Sequence, residues 1–153
     1  MATYTHFAKQ PDVLKHLILC EVLRNEAPQV YVETNSACAI YFMTQTPEQQ
    51  YGIYHFLEKA DEVPSLNDKS LKASIYYQLE STEMAKGNYL GSPALAMNVL
   101  GKQAKRFVFF DLEKSALENV DIYAKQIGLS TSVEIHHTDS LKGTIELLPS
   151  LPA

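Results

Sequence analysis

The sequence predicts an α/β fold in which three parallel strands alternate with helices. Apolar segments typical of buried strands recur between segments with helical periodicity, and each of them leads to a carboxylate. The strongest strand signal is RFVFFDLE at residues 106–113, where four apolar residues follow one another. Continuous apolar runs are typical of parallel strands that are covered on both faces. Strands that alternate with helices in this way form βαβ units, whose crossovers are right-handed in nearly all proteins.

The first predicted elements are a helix and a strand near the start of the chain. Residues 12–25 carry a wide apolar stripe at helical spacing, and Pro11 and Asp12 provide a start signal. Residues 29–33 (QVYVE) are short, β-branched and aromatic, and they predict the first strand. Residues 34–43 then predict a turn of small residues that runs into apolar residues.

Periodicity also predicts the segments that follow. Residues 44–88 predict a helical hairpin inserted between the first and second strands, with a break at Val63-Pro64-Ser65. The third strand is predicted over residues 132–138 (SVEIHHT). The remaining elements are a loop at 88–93 and helices at 94–100, 114–127 and 141–148, the first two ending at Gly101 and Gly128.

Length and composition predict one domain over residues 1–153. The chain is 46% hydrophobic and 20% charged, and it is long enough to bury a core. It has no apolar run of roughly eighteen residues and no basic-then-apolar leader, so we expect a cytoplasmic protein outside the membrane. The net charge of −5 makes RNA a weakly supported partner, because phosphate binding normally needs a basic patch.

The cysteines and histidines do not predict a metal site. Cys20 and Cys38 are too few for a disulfide framework and have no ligand neighbours at zinc spacing, so we expect buried, reduced thiols. His136 and His137 are adjacent, so on a strand they face opposite sides and cannot bind one metal together.

An acidic residue follows each of the three predicted strands. These residues are Glu33, Asp111 and Asp139. In doubly wound sheets a ligand lies outside the carboxyl ends of the strands, and an acid after the second strand typically holds a ribose diol. The arrangement therefore predicts a site for a nucleoside cofactor. The alternative is that each acid only caps the helix that follows it.

Several motifs resemble one known family. DVLKH at 12–16, YVETNSACA at 31–39, YLGSP at 89–93, the acid after FVFF and the Asp after the third strand occur in the same order in the RlmJ family. The members of that family are bacterial methyltransferases that modify N6 of an adenine in 23S ribosomal RNA. The resemblance covers the front half of the family and implies half of a Rossmann-like methyltransferase fold, with S-adenosylmethionine as cofactor.

The resemblance also implies roles for individual residues. Asp111 would hold the ribose hydroxyls, Asp139 the adenine amino group, and His16 and Ser92 the methionine end. The residues that the family's cofactor contacts match are His16, Glu33, Asn35, Ser92, Asp111 and Asp139, while Tyr4 and His6 match residues on the substrate-adenine side. Without the DVLKH match, a single helix histidine such as His16 is more often a core or surface residue.

The chain departs from the family pattern at two motifs. The family has D-x-H-A-G-x-G after its first strand, whereas this chain has ETNSACA at residues 33–39. The side chains of Ala37 and Ala39 replace the two glycines, and we expect them to crowd the methionine end of the site. The Asp/Asn-Pro-Pro-aromatic tetrapeptide that holds the target amine is absent from this sequence. The catalytic residues are therefore unknown, and we do not expect this chain alone to methylate adenine.

Three functions remain open from the sequence. The chain is a shortened relative that binds S-adenosylmethionine, a small lyase that cleaves S-adenosylmethionine to methylthioadenosine, or an interaction module without a ligand. In the lyase, the carboxylate of the substrate itself displaces methylthioadenosine, so the protein need only hold the cofactor bent in a dry pocket.

The first strand also predicts an assembly. Residues 29–33 would form an exposed edge without the lysine or proline that usually protects one. We therefore expect a homo-oligomer or a partner chain that covers this edge and the helix at residues 12–25.

Overall fold

A parallel sheet of three strands lies at the centre of the fold. In the computed structural model, which describes residues 4–62 and 70–152, these strands are β1 (Val30–Glu33), β4 (Arg106–Asp111) and β5 (Val133–His137), in the order β1-β4-β5. Val30 pairs with Arg106, and Phe107 pairs with Val133. This arrangement confirms the predicted α/β fold, half of a Rossmann-like fold with three parallel strands.

Helices cover both faces of this sheet. Phe107 and Phe109 of β4 point into the main core, whereas Val108 and Phe110 form a smaller cluster with Leu147 on the opposite face. All four β4 side chains are buried, as the continuous apolar run predicts. The α-helices are α1 (Gln10–Glu26), α2 (Pro47–Gln49), α3 (His55–Glu62), α4 (Ile75–Met84), α5 (Ser92–Leu100), α6 (Lys114–Gln126) and α7 (Ser140–Leu147).

A short antiparallel pair lies beside the parallel sheet. It joins β2 (Ile40–Phe42) to β3 (Asn88–Leu90), with Ile40 opposite Leu90. The prediction of a loop at 88–93 was therefore wrong for residues 88–90, which form β3, and for residues 92–93, which begin α5. The apolar end of the segment at 34–43 is a strand. Each strand has only three residues, so the pairing depends on contacts between distant segments and not on a local pattern.

The helical insertion is interrupted at Gly52. A π-helical segment, Gln50–Tyr54, joins α2 to α3, and Gly52 within it leaves helical geometry with φ −93° and ψ −110°. A Cβ at this position would collide with the carbonyl oxygen of Ala8. The glycine therefore lets the N-terminal segment approach closely, and Ile53 N donates to that same carbonyl at 3.1 Å. The break that the sequence predicts at 63–65 lies outside the described residues.

Single-turn 3-10 helices complete the connections, at Leu71–Ala73, Gly101–Gln103, Ser130–Ser132 and Leu148–Ser150. Within residues 4–62 and 70–152, no helix is both long enough and apolar enough to cross a bilayer.

Candidate functional site

A cleft of about 150 Å³ opens at the carboxyl end of β1. Its walls come from the N-terminal segment, α1, the loop after β1 and the start of α5. Six of the eight site residues predicted above line it, namely Tyr4, His6, His16, Glu33, Asn35 and Ser92. The fold therefore brings most of the predicted residues, which are far apart in the sequence, to one place.

Glu33 is the carboxylate of this cleft. It ends β1, and its two oxygens accept hydrogen bonds from the hydroxyls of Ser92 and, at 3.1 Å, Tyr31. Burial raises the pKa of Glu33 to about 7, although these two hydrogen bonds partly oppose the shift. Its carboxyl group therefore exchanges a proton near neutral pH.

His16 presents a free ring nitrogen in the cleft wall. Its Nδ1 lies 2.9 Å from the hydroxyl of Tyr89, which in turn lies 3.3 Å from the hydroxyl of Tyr76. Its Nε2 is buried and has no hydrogen-bond partner among the described residues. Burial lowers the pKa of His16 to about 4, so the ring is neutral at physiological pH. A neutral imidazole with an unpaired nitrogen is suited to a polar ligand group.

Asp111 lies behind Tyr4 at the carboxyl end of β4. Its carboxylate accepts hydrogen bonds from the backbone amides of Ala37 and Glu113, each at 2.8 Å. The hydroxyl of Tyr4 lies 3.0 and 3.2 Å from the two carboxylate oxygens. Asp111 is only 3% exposed. A ligand can therefore reach this carboxylate only after Tyr4 moves.

Tyr4 belongs to an N-terminal segment that covers the site. Burial and the hydrogen bond to Asp111 raise the pKa of Tyr4 to about 12, so its hydroxyl stays protonated and donates. Nearby, the ring of Phe7 stacks on Tyr41 with centroids 4.5 Å apart. His6 is exposed, with Nδ1 3.5 Å from the carboxylate of Glu48. These contacts fix the segment over the end of the sheet.

The loop after β1 has a strained residue at one of the two positions where the resembled family has glycine. Ala37 has φ 51°, a left-handed conformation that favours glycine. Asn119 of α6 fixes the neighbouring backbone, because its Oδ1 accepts from the amides of Ala39 at 2.9 Å and Ile40 at 3.0 Å. The alanines therefore do not prevent the turn, but Ala37 strains it.

Lys15 supplies a positive charge in the cleft wall. Its ammonium group lies 3.5 Å from Asp12, and its side chain is largely exposed. Both residues line the cleft, and the charge of Lys15 acts to lower the pKa of Glu33 against the larger effect of burial. We did not predict a role for Lys15, although it lies inside DVLKH. We also predicted no role for Tyr89, although it begins the motif YLGSP, and Asn119 had no local signal.

Asp139 is placed differently from the other predicted acids. It is exposed, and its side chain accepts a hydrogen bond from the backbone amide of Lys142 at 3.1 Å. Asp139 therefore caps the start of α7. The cleft lining that the described residues form does not include it. It follows β5 at the same end of the sheet as Asp111, whose register partner is His137. For Asp139 the structure therefore shows the helix-capping role, which the sequence analysis gave as the alternative to ligand binding.

Comparison with known proteins finds solved structures of similar fold. No family model matches the chain, and no curated protein matches it. One of these is a crystal structure of protein LPL1258 from Legionella pneumophila str. Philadelphia 1, of the family model DUF519, with a TM-score of 0.73 and 26% sequence identity. The alignment covers 94% of this chain and 53% of that protein. The chain thus spans about half the length of this solved relative.

In the part of the chain that the structure describes, the remaining polar groups do not form a metal site. Within the described residues, no group of three or more His, Cys, Asp or Glu side chains is placed to hold a metal ion. Cys20 and Cys38 are free and buried, and burial raises the pKa of the two thiols to about 12 and about 11. Both thiols are therefore protonated and poorly reactive at neutral pH.

Proposed function

We propose that this chain binds S-adenosylmethionine at the carboxyl end of its parallel sheet. One observation carries the proposal: a single cleft gathers His16, Glu33, Asn35 and Ser92, with Asp111 directly behind Tyr4. This is the edge at which ligands bind in open α/β sheets. The similarity to LPL1258 supports the fold on which the proposal depends.

The methionine end of the ligand would occupy the cleft. Glu33 would accept the ligand's ammonium group, while the ammonium of Lys15 and the free Nε2 of His16 would contact its carboxylate. An acid, a cation and a neutral donor or acceptor around one small cavity suit the zwitterionic end of an amino acid. An ammonium group beside Glu33 would favour the ionised carboxylate and lower its pKa.

The ribose would occupy the position that the Tyr4 hydroxyl now holds. That hydroxyl contacts both oxygens of Asp111, as the two hydroxyls of a ribose would. The amides of Ala37 and Glu113 hold the carboxylate in place and need not move. On binding, the carboxylate of Asp111 would therefore exchange the hydroxyl of Tyr4 for the two hydroxyls of the ribose as hydrogen-bond donors.

The proposal is limited to cofactor binding, because that is the step which the residues of this cleft support. The free thiols of Cys20 and Cys38 support action in a reducing compartment, the cytoplasm.

Mass spectrometry of S-adenosylmethionine incubated with the purified protein tests the function. We expect intact S-adenosylmethionine to be retained by the protein after rapid desalting. Release of methylthioadenosine with homoserine lactone would instead assign a lyase, in which the ligand carboxylate attacks its own γ-carbon as the carbon–sulfur bond breaks. No retention and no cleavage would contradict the proposal. Asp121→Asn, an exposed acid paired with Lys125 on α6, is the control for variants of Glu33 and Asp111.

We also propose that another chain covers the edge of the sheet at β1. Among the described residues β1 pairs with β4 alone, which leaves one row of backbone groups free for a second strand. The occupant would be another copy of the protein or a partner chain.

A further inference from the structure

His16, Tyr89 and Tyr76 form a chain of hydrogen bonds that begins in the wall of the cleft. They belong to α1, β3 and α4, and each of them is at most 4% exposed. The Nδ1 of His16 lies 2.9 Å from the hydroxyl of Tyr89, which lies 3.3 Å from the hydroxyl of Tyr76. His16 and Tyr89 line the cleft, whereas Tyr76 is fully buried outside its lining. The chain therefore connects a side chain of the cleft to a hydroxyl in the core.

Every group in this chain is neutral at physiological pH. Burial raises the pKa of the hydroxyls of Tyr76 and Tyr89 well above the usual value, and it lowers the pKa of His16 to about 4. Each tyrosine therefore has one proton to donate, and the imidazole carries one proton on either Nδ1 or Nε2. The directions of the two hydrogen bonds decide which nitrogen carries it, because Nδ1 accepts only when it is unprotonated.

Among the described residues, only one of the two directions gives both hydroxyl protons an acceptor. In that direction Tyr76 donates to Tyr89 and Tyr89 donates to Nδ1 of His16, so the imidazole carries its hydrogen on Nε2. In the reverse direction Nδ1 donates to Tyr89 and Tyr89 donates to Tyr76, whose own proton then has no acceptor in the described part of the chain. A buried hydroxyl proton without an acceptor lowers the population of that state by roughly tenfold or more. The first direction is therefore favoured.

We propose that Tyr89 and Tyr76 are positioning residues that hold His16 as its Nε2–H tautomer, so that the ring donates a hydrogen bond to the carboxylate of the ligand. The proposal rests on the function proposed above and gives the contact between His16 and the ligand a direction. The Nε2 is buried and has no partner among the described residues, so its hydrogen needs an acceptor that a ligand would supply.

A carboxylate is the ligand group that suits this donor best. It offers two acceptor oxygens and has no hydrogen of its own to donate. Lys15, one residue earlier on α1, lines the same cleft and adds a positive charge. The two side chains together would select a ligand that carries an anionic group over one that carries only donors at this position.

Nuclear magnetic resonance of the ligand-free protein tests the tautomer. With isotope-labelled histidine, long-range proton–nitrogen correlation at neutral pH distinguishes a protonated ring nitrogen from an unprotonated one, and His16→Gln identifies the signals of His16. We expect a protonated Nε2, and an unprotonated Nδ1 that shifts toward the position of an unbonded nitrogen in Tyr89→Phe. Tyr77→Phe is the matched control, since its hydroxyl contacts Asp61 at the surface, and it should leave both nitrogens unchanged. An Nδ1 that is protonated in half or more of the unmodified chains, or no shift in Tyr89→Phe, would overturn the proposal.

Calorimetry with two ligands tests the carboxylate contact. The ligands are S-adenosylmethionine and its analogue without the carboxylate. Tyr89→Phe should bind S-adenosylmethionine about 2- to 10-fold more weakly, the value of one hydrogen bond, because the imidazole loses the contact that fixes its orientation and tautomer. It should bind the analogue as the unmodified chain does. Equal weakening for the two ligands would mean that the hydroxyl only supports the fold, and it would overturn the positioning role.

Two further measurements keep this proposal separate from the proposed function. If Tyr89→Phe folds poorly because the hydroxyl of Tyr76 loses its partner, the double variant Tyr76→Phe/Tyr89→Phe removes both hydroxyls and should show the same difference between the ligands. Binding of S-adenosylmethionine that neither variant changes would overturn the positioning role alone. An unmodified chain that binds neither ligand would overturn the proposed function and the carboxylate contact, while the resonance measurement still decides the tautomer of His16.

Discussion

At the scale of single residues, Glu33 combines burial with a position in the cleft wall. Its pKa of about 7 means that the folded protein retains a proton that the unfolded chain releases near 4.5. The stability that this proton contributes is complete below about pH 4.5 and is lost as the pH rises to about 7. The fold therefore tolerates an ionised Glu33 at a cost, and an ammonium ligand would remove part of that cost.

Glu33→Gln should stabilise the protein at pH 8 and have little effect at pH 4.5. The gain in the free energy of unfolding at pH 8 should approach about 3 kcal/mol, because each unit of the pKa shift corresponds to about 1.4 kcal/mol. Urea unfolding of both proteins across this pH range measures it. Glu118→Gln, an exposed residue of α6, is the control and should show no such gain. A constant difference between Glu33→Gln and the unmodified chain would contradict the raised pKa.

Tyr4 and the ribose compete for Asp111 in the proposed binding mode. Tyr4→Phe keeps the ring and removes the competing hydroxyl, so methylthioadenosine should bind about 3- to 10-fold more tightly, the value of one hydrogen bond. Calorimetry with methylthioadenosine measures the change. Tyr51→Phe, an exposed tyrosine of the helical insertion, should bind as the unmodified chain does. Weaker binding by Tyr4→Phe would show that the hydroxyl contacts the ligand.

At the scale of elements, the loop after β1 forms one wall of the cleft in which we propose that the methionine end binds. Ala37 occupies a left-handed conformation there, at a cost of about 1–2 kcal/mol relative to glycine. Ala37→Gly should relieve this strain and, after the added chain entropy of glycine, stabilise the fold by up to about 1 kcal/mol. Thermal unfolding measures it. Ala116→Gly within α6 should instead destabilise by about 1 kcal/mol or more. A loss of stability in Ala37→Gly would contradict the strain.

The elements also show how far the sequence predicts the fold. The long amphipathic helices and the apolar run of β4 were predicted to within a few residues, because periodicity and burial are local properties of the chain. The pair β2 and β3 was not predicted, since its two short strands depend on each other across the insertion. The interruption at Gly52 follows from the close approach of Ala8, another contact between distant residues.

The cleft shows the same division between local motifs and tertiary contacts. Glu33, Ser92 and His16 were predicted as site residues because each lies in a short motif that resembles a known family. The hydrogen bond between Tyr4 and Asp111 and the support from Asn119 join residues far apart in the chain. The sequence contains no local pattern that predicts such pairs.

At the scale of the whole molecule, the edge at β1 lies next to the cleft, because Glu33 ends this strand and lines the cleft. Tyr31→Lys should break the assembly and lower solubility, because it places a charge in the strand at this edge. Light scattering and a solubility measurement test it. Ile135→Lys, on the strand β5 at the other edge of the sheet, should stay assembled. A fully assembled Tyr31→Lys protein would exclude this edge from the interface.

The most direct test of the central claim is calorimetric titration of S-adenosylmethionine into the unmodified chain and into Asp111→Ala. We predict saturable binding by the unmodified chain. In the variant the binding free energy should be weaker by about 1.5–3 kcal/mol, the range for a hydrogen bond to a charged group. Asp111→Asn keeps the size of the side chain and should bind with an intermediate loss if Asp111→Ala folds poorly. Binding by Asp111→Ala that equals that of the unmodified chain, or no binding by either protein, would contradict the assignment of this cleft as a cofactor site.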